Sequence, residues 1–112
     1  MSLLKIFEVA GTGMDAQSVR LNLVSSNIAN ADSVSSSEGA TYRARRPVFE
    51  TVLDAELGEM PSFGVRVSGV VEDGSPLRKE YSPGHPAAGA DGYIFRPNVS
   101  VVEEMADMIS AS

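Results

Sequence analysis

Few side chains in this sequence could do covalent or metal chemistry, and their spacing argues against it. His85 is the single histidine and sits between Gly84 and Pro86, with no second nitrogen ligand or helical carboxylate spacing beside it. A zinc-type centre needs several such ligands together. The sequence holds no cysteine, which removes disulfides, thiol catalysis and thiolate metal sites at once. No serine carries a nucleophile motif. Gly11-Thr12-Gly13 has the composition of a phosphate loop, but it follows no strand and lacks the remaining glycine and lysine of the nucleotide motifs. It reads instead as a thin place on a helix where a neighbour packs closely, or as a soft kink. Glu103 and Glu104 are adjacent, so they lie on different parts of a helix surface and serve its positive N-terminus. Arg45-Arg46 could bind carboxylates of a partner, against the plainer reading of a solvated strand end. Asn98-Val99-Ser100 matches a glycosylation acceptor, a pattern without force where no secretory leader accompanies it. These residues define no active site, no cofactor and no small-molecule substrate.

Bulk properties exclude further classes. The formal net charge is −6 over 112 residues, and Arg43, Arg45 and Arg46 form the sole basic cluster, so a nucleic-acid binder is not expected. No apolar run approaches the length that crosses a bilayer, so direct membrane insertion is not expected either. Met1 to Val9 contains one lysine and one glutamate and reads as the start of a helix rather than as a cleaved leader.

The element that must position anything else is residues 3–31. Steps of three and four pick out Phe7, Ala10, Met14, Gln17, Leu21, Val24, Ile28 and Ala31, all apolar but Gln17. One stripe of a helix therefore stays apolar for its whole length. Such a helix runs on the order of 40 Å, longer than a compact domain of this size, with a radius of about 13 Å, can cover. The stripe needs a partner helix, from the chain's own C-terminus or from neighbouring molecules. Residues 32–41 are a serine-rich loop. Pro47 to Leu53 reads as a strand that begins at Pro47 or lies at an edge. Residues 64–81 read as a hairpin broken at Gly69 and turned at Asp73-Gly74-Ser75-Pro76. Asp91-Gly92 is a turn, and Tyr93-Ile94-Phe95-Arg96 a short strand stopped by Pro97. Ser100-Val101-Val102-Glu103 fits a capping box, and Val101, Val102, Met105, Met108 and Ile109 follow at helical spacing. Residues 3–31 are the one local partner for that face.

Met14-Asp15-Ala16-Gln17, Arg20-Leu21-Asn22, Ser26-Asn27-Ile28-Ala29-Asn30-Ala31 and Tyr42-Arg43-Ala44 together resemble the N-terminal signature of bacterial flagellar rod and hook proteins. The segment Asp32 to Thr41 stands where most of that family carries a short Thr-Pro-Gly-Tyr turn, and this points to a proximal-rod member. Later landmarks follow in order: Tyr81-Ser82-Pro83-Gly84-His85-Pro86, Gly92-Tyr93, Pro97-Asn98-Val99 and Ile109-Ser110-Ala111-Ser112. The resemblance implies a C-terminal helix that runs well past Ser112. Residues 98–112 are then only its opening turns, and pairing of the two terminal helices within the chain is not counted on.

The expected class is α+β: a long N-terminal amphipathic helix and the start of a C-terminal helix, coiled-coil-like, flanking a small antiparallel β module. The divisions are 1–31, an assembly helix; 32–41, a loop; 42–97, the β-rich module; and 98–112, the opening of the second helix. The resemblance implies a structural subunit of the periplasmic proximal rod, exported without a cleaved leader and transmitting torque. Its expected partners are copies of itself, other rod proteins, a rod-to-membrane-ring adaptor and the flagellar type III export apparatus. The assembly interface is expected at Phe7, Ala10, Met14, Leu21, Val24, Ile28, Val102, Met105 and Ile109. Asn27 and Asn30 would fix polar contacts at the helix end. The competing readings are a soluble adaptor whose helix docks in a partner's groove, and a sibling rod or hook protein.

Overall fold

A computed structural model describes residues 3–54 and 62–112. In order these form α1 (Leu3–Ala29), a 3-10 turn (Glu38–Ala40), β1 (Arg45–Asp54), β2 (Ser62–Glu72), β3 (Arg78–Tyr81), β4 (Tyr93–Arg96) and α2 (Val101–Ala111). The α+β class is as the sequence implies. The molecule measures 68 × 23 × 15 Å, with a radius of gyration of 19.7 Å, where a compact chain of this length has about 13 Å. The 27 residues of α1 span about 40 Å of that length.

Helix α1 runs unbroken through Gly11 and Gly13, each costing about 1 kcal/mol relative to alanine. A Cβ added at either glycine would meet nothing within 4 Å, so no neighbour among the described residues presses on them. The close approach lies beside them. The Thr12 hydroxyl donates to the Val9 carbonyl at 2.7 Å and accepts the Val65 N–H at 3.1 Å. Opposite it stands Gly64, where a Cβ would come 3.0 Å from the Thr12 oxygen. Helix and strand backbone thus meet at Thr12 and Gly64.

The pairing of strands differs from the hairpin expected over 64–81. β2 pairs antiparallel with β1, from Arg45 opposite Glu72 to Asp54 opposite Ser62, with a bulge between Val48 and Phe49. β3 pairs instead with β4. The reason is the turn between β2 and β3. Asp73 donates its N–H to the Ala44 carbonyl, and the Asp73 and Ser75 carbonyls are held by the side chains of Arg43 and Asn98. The chain is therefore pinned toward residue 44 and leaves in a new direction. Meanwhile Glu50 and Arg66 face each other across β1 and β2 and form an ion pair. β1 starts two residues before Pro47; β4 and its stop at Pro97 match the sequence reading.

The second sheet is held by the buried Ile94 of β4, 1% exposed, and by polar and aromatic contacts. Arg96 bridges to Glu80 at 2.8 Å, the Tyr81 and Tyr93 rings meet edge-on at 5.1 Å, and Lys79 lies over Tyr93. Gly92 has φ +81, and a Cβ there would strike the Tyr81 ring at 2.9 Å; that turn requires glycine. The serine-rich segment is not an idle loop. Ser35 exchanges both backbone hydrogen bonds with Phe95, so the 32–41 segment docks on the outer side of β4. The core proper is small, with Ala31, Ala44 and Val99 packed under Tyr42.

The Ser75 hydroxyl and amide both donate to the Asp73 carboxylate, at 2.5 and 2.8 Å. These bonds, with lesser help from Arg46 and Arg43, hold its pKa below the ordinary 3.8. A depressed folded pKa stabilises the fold above the unfolded value, and that contribution disappears as pH falls through the folded one. A side-chain NMR titration is expected to place Asp73 below 3.8, and Ser75→Ala to move it upward; an unmoved midpoint would contradict the assignment.

Candidate assembly interface

The geometry that orients every exposed surface is a buried polar junction of α1, β1 and α2. Asn27 and Glu104 are both fully buried, at 0% exposure. The Asn27 side-chain amide donates to the Arg45 carbonyl at 3.0 Å and to Glu104 at 3.2 Å. Its oxygen accepts the Arg45 N–H at 2.9 Å and the Tyr42 hydroxyl at 2.6 Å. Asn27 therefore pairs with Arg45 as a neighbouring strand residue would. Glu104 also accepts from Arg46 at 2.5 Å, and Ser26 shares a hydrogen with Tyr42 at 3.1 Å. One turn further along α2, Asp107 pairs with Arg20. Among the described residues every buried side-chain nitrogen and oxygen has a partner, the condition under which a buried charge is tolerated.

Two sequence expectations change here. Glu104 lies in the first turn of α2 as the sequence implies, but it is also the buried hub, where Arg46 and Asn27 neutralise and saturate it. The terminal helices do pair within the chain, through Asn27–Glu104 and Arg20–Asp107. Ser100 does cap α2, accepting the Glu103 N–H at 3.4 Å. Arg46, read as a solvated or partner-binding group, is spent on Glu104 and reaches toward Asp73. Asn30 turns back to the Ser26 carbonyl and closes its own helix.

These bonds invert the amphipathicity of α2. The face turned to α1 carries Glu104, Asp107 and Ala111. The apolar stripe of Val102, Met105 and Ile109 faces solvent, with Val102 78% and Ile109 76% exposed. That stripe does not pack on residues 3–31, its one local partner in the sequence: ionic and amide bonds on the opposite face fix the rotation of the helix. The α1 stripe divides in two. Val24 and Ala31 are buried and Ile28 and Leu21 half-buried, covered by the chain itself. Phe7, Ala10 and Met14 are exposed, Met14 at 71%. Between the halves an open cleft of about 550 Å³ runs along Met14, Gln17 and Leu21 to Ala111.

Contiguous apolar surface of this kind marks a contact site rather than a reaction site. His85 uses its Nδ1 to accept the Ala87 N–H at 3.0 Å, a local loop bond. Among the described residues no group of acids and histidine is placed to hold a metal ion, and no helix is long and apolar enough to cross a membrane. The junction, by contrast, was reachable only by pairing residues far apart in sequence; the signal was a mixed-polarity stripe, Glu104, Asp107, Met108 and Ala111, at helical spacing.

Asn27→Ala would leave the Arg45 backbone groups unpaired and take one bond each from Glu104 and the Tyr42 hydroxyl, which keeps Ser26, at a cost of about 2 to 4 kcal/mol. That is a large share of a total stability of roughly 5 to 15 kcal/mol. Urea unfolding of the variant is expected to report it, and a loss under about 0.5 kcal/mol, typical of surface substitutions, would contradict the role of the junction.

Comparison with known proteins fits a chain built for contact. Residues 7–35 match the sequence family described as Flagella basal body rod protein. The flagellar basal-body rod protein FlgC of Salmonella typhimurium is 48% identical over all 112 residues, which span 81% of that relative. The FlgC of Yersinia enterocolitica shows the same identity and coverage. That of Borreliella burgdorferi is 38% identical over an alignment of 126 positions, covering all of this chain and 83% of the relative. With such identity along its whole length, the chain belongs to the flagellar basal-body rod protein family and is a structural subunit of the flagellar basal body.

Proposed function

We propose that this subunit occupies the proximal, periplasmic part of the rod and packs there through the exposed half of the α1 stripe and the outer face of α2. One observation carries the reading: the fold buries a glutamate while leaving Val102, Met105 and Ile109 in solvent. A soluble monomer gains nothing from that arrangement, since burying those side chains is worth about 1.5 to 3 kcal/mol each. A subunit whose apolar faces are completed by neighbours gains on assembly. Phe7, Ala10 and Met14 give α1 an exposed apolar face of its own. Contacts of this type, repeated without closing on themselves, build a tube.

Residues 1–31 act as the assembly helix, residues 42–97 as a lateral module that sets spacing, and residues 98–112 open the second helix. The junction at Asn27 and Glu104 makes helix pair and module one stiff body, which torque transmission requires. The partners are copies of this chain and other rod proteins along the seam, and an adaptor joining rod to membrane ring. The flagellar type III apparatus would deliver the chain. The work is mechanical and no catalytic step is assigned. A groove-docking adaptor would use the same stripe, but likeness to rod proteins along the full chain does not favour it.

Met14→Asp and Ile109→Asp place a charge on exposed positions, so both variants are expected to fold with unchanged thermal melts. In the assembled rod the charge would be desolvated at a cost of several kcal/mol. Each variant is expected to reduce swarming to the level of a strain lacking the protein. Normal swimming by both would remove these faces from the seam.

A further inference from the structure

The outer edge of a strand, with free amides and carbonyls, is a template for another strand. Several strand edges in this molecule are engaged or blunted at named points. The outer side of β2 receives Thr12, which takes the Val65 N–H. β4 carries Ser35 on its outer side. β3 reads Arg78-Lys79-Glu80-Tyr81 and is blunted by charge. At the start of β1, both backbone groups of Arg45 go to Asn27, and Pro47 has no N–H to offer.

Among the described residues, nothing bonds to the outer side of β1 beyond Pro47. In an antiparallel ladder, opposed residues alternate between pairs that exchange hydrogen bonds and pairs that do not. Val65 directs its N–H away from β1, so Val65 and Thr51, which face each other, are a non-exchanging pair. The Thr51 amide and carbonyl therefore point outward as well. Arg45 lies an even number of residues away on the same strand and also points outward, to Asn27, in agreement. The period of the strand puts Phe49 and Leu53 with Thr51. Directly opposed residues share a face, so the side carrying Phe49 and Leu53 also carries Phe63 and Val65. All four are exposed, Leu53 at 59% and Phe63 at 58%.

We propose that this edge pairs with the same edge of a second copy of the chain, antiparallel about a two-fold axis at Thr51, giving one continuous sheet in the order β2-β1-β1-β2. The free groups at 49, 51 and 53 are symmetric about Thr51, and that centre uses all of them, in about six N–H···O bonds. Centring on Phe49 instead would spend Pro47, which has no donor, and Arg45, which is already paired. In the Thr51 register Phe49 opposes the partner's Leu53 and Glu50 opposes the partner's Val52, so no like charges meet. The exposed apolar faces of the two copies become one surface. A two-fold contact closes on itself, whereas growth of a tube needs contacts that do not. The pair is therefore a state of the free subunit, and it leaves both helical stripes uncovered.

The test uses the full chain, which has no cysteine of its own. Exchanging pairs have Cα atoms about 5.5 Å apart, within disulfide reach of about 4.4 to 6.8 Å. Under mild oxidation Thr51→Cys is expected to cross-link into a dimer. Val70→Cys, exposed on β2 and away from the axis, is expected not to. Thr51→Pro removes an N–H that the hairpin's own ladder does not use and blocks the outer edge; its circular dichroism should be unchanged while dimer affinity in sedimentation falls at least tenfold. Should that variant lose its fold, Phe49→Lys, on the exposed face, takes its place with the same expected loss. A monomeric parent chain, equal cross-linking at 51 and 70, or a dimer indifferent to these substitutions would each overturn the proposal. So would uptake of another protein's strand by a chain that does not self-associate.

Discussion

A buried carboxylate sets the orientation of everything else in this molecule. Glu104 is wholly removed from water, and such a charge survives only when its Coulomb partner and its hydrogen bonds are all in place. Arg46 supplies the first and Asn27 completes the second. Because those two residues sit on β1 and α1, satisfying Glu104 brings three elements into one geometry. Among the described residues the buried apolar side chains are few and mostly small, four of them alanines beside Val24, Leu77, Ile94 and Val99, and carry no direction of their own. Specificity of rotation comes from the polar junction, and the apolar surface that would ordinarily orient α2 is left outside.

That inversion connects fold to function. An exposed stripe on α2 and an exposed half-stripe on α1 are unfavourable for an isolated molecule and favourable for one repeated around an axis. The same bonds that fix α2 also fix the β module relative to α1, so a load applied through the helices reaches the module without a hinge at the junction. Thr12 against Val65 gives a second point of attachment about four helical turns from Asn27 by helix geometry, roughly 22 Å along α1. Two separated anchors along one helix resist bending of the module against it better than one.

Much of this was legible in local pattern. The stripe of α1 needs only a period, and the helix ends at Ala29 where small residues and Asn30 begin to close it. Ser100, the Asp91-Gly92 turn and the stop at Pro97 are signals of backbone chemistry that neighbours scarcely alter. The strand pairing was not legible, because the choice between β1 and β3 as partner of β2 is made by Arg43 and Asn98 gripping the turn, contacts spanning 30 and 25 residues in sequence. The role of Glu104 was hidden for a related reason. Two adjacent glutamates at a helix start look alike until the cation and the amide that meet one of them are known. The landmarks that carried the family resemblance, Asn27, Tyr42, Ala44 and Asn98, turn out to lie around one junction and its adjoining turn.

On the proposed reading, the exposed half of the α1 stripe is a seam buried only on assembly. A Met14→Cys variant in an otherwise cysteine-free chain allows a direct measurement, maleimide labelling of the free subunit and of purified hook–basal bodies. Rapid labelling of the subunit with protection in the basal body is the result predicted. Equal labelling in both, in basal bodies that contain the variant, would contradict the seam and leave the stripe without a partner in the rod.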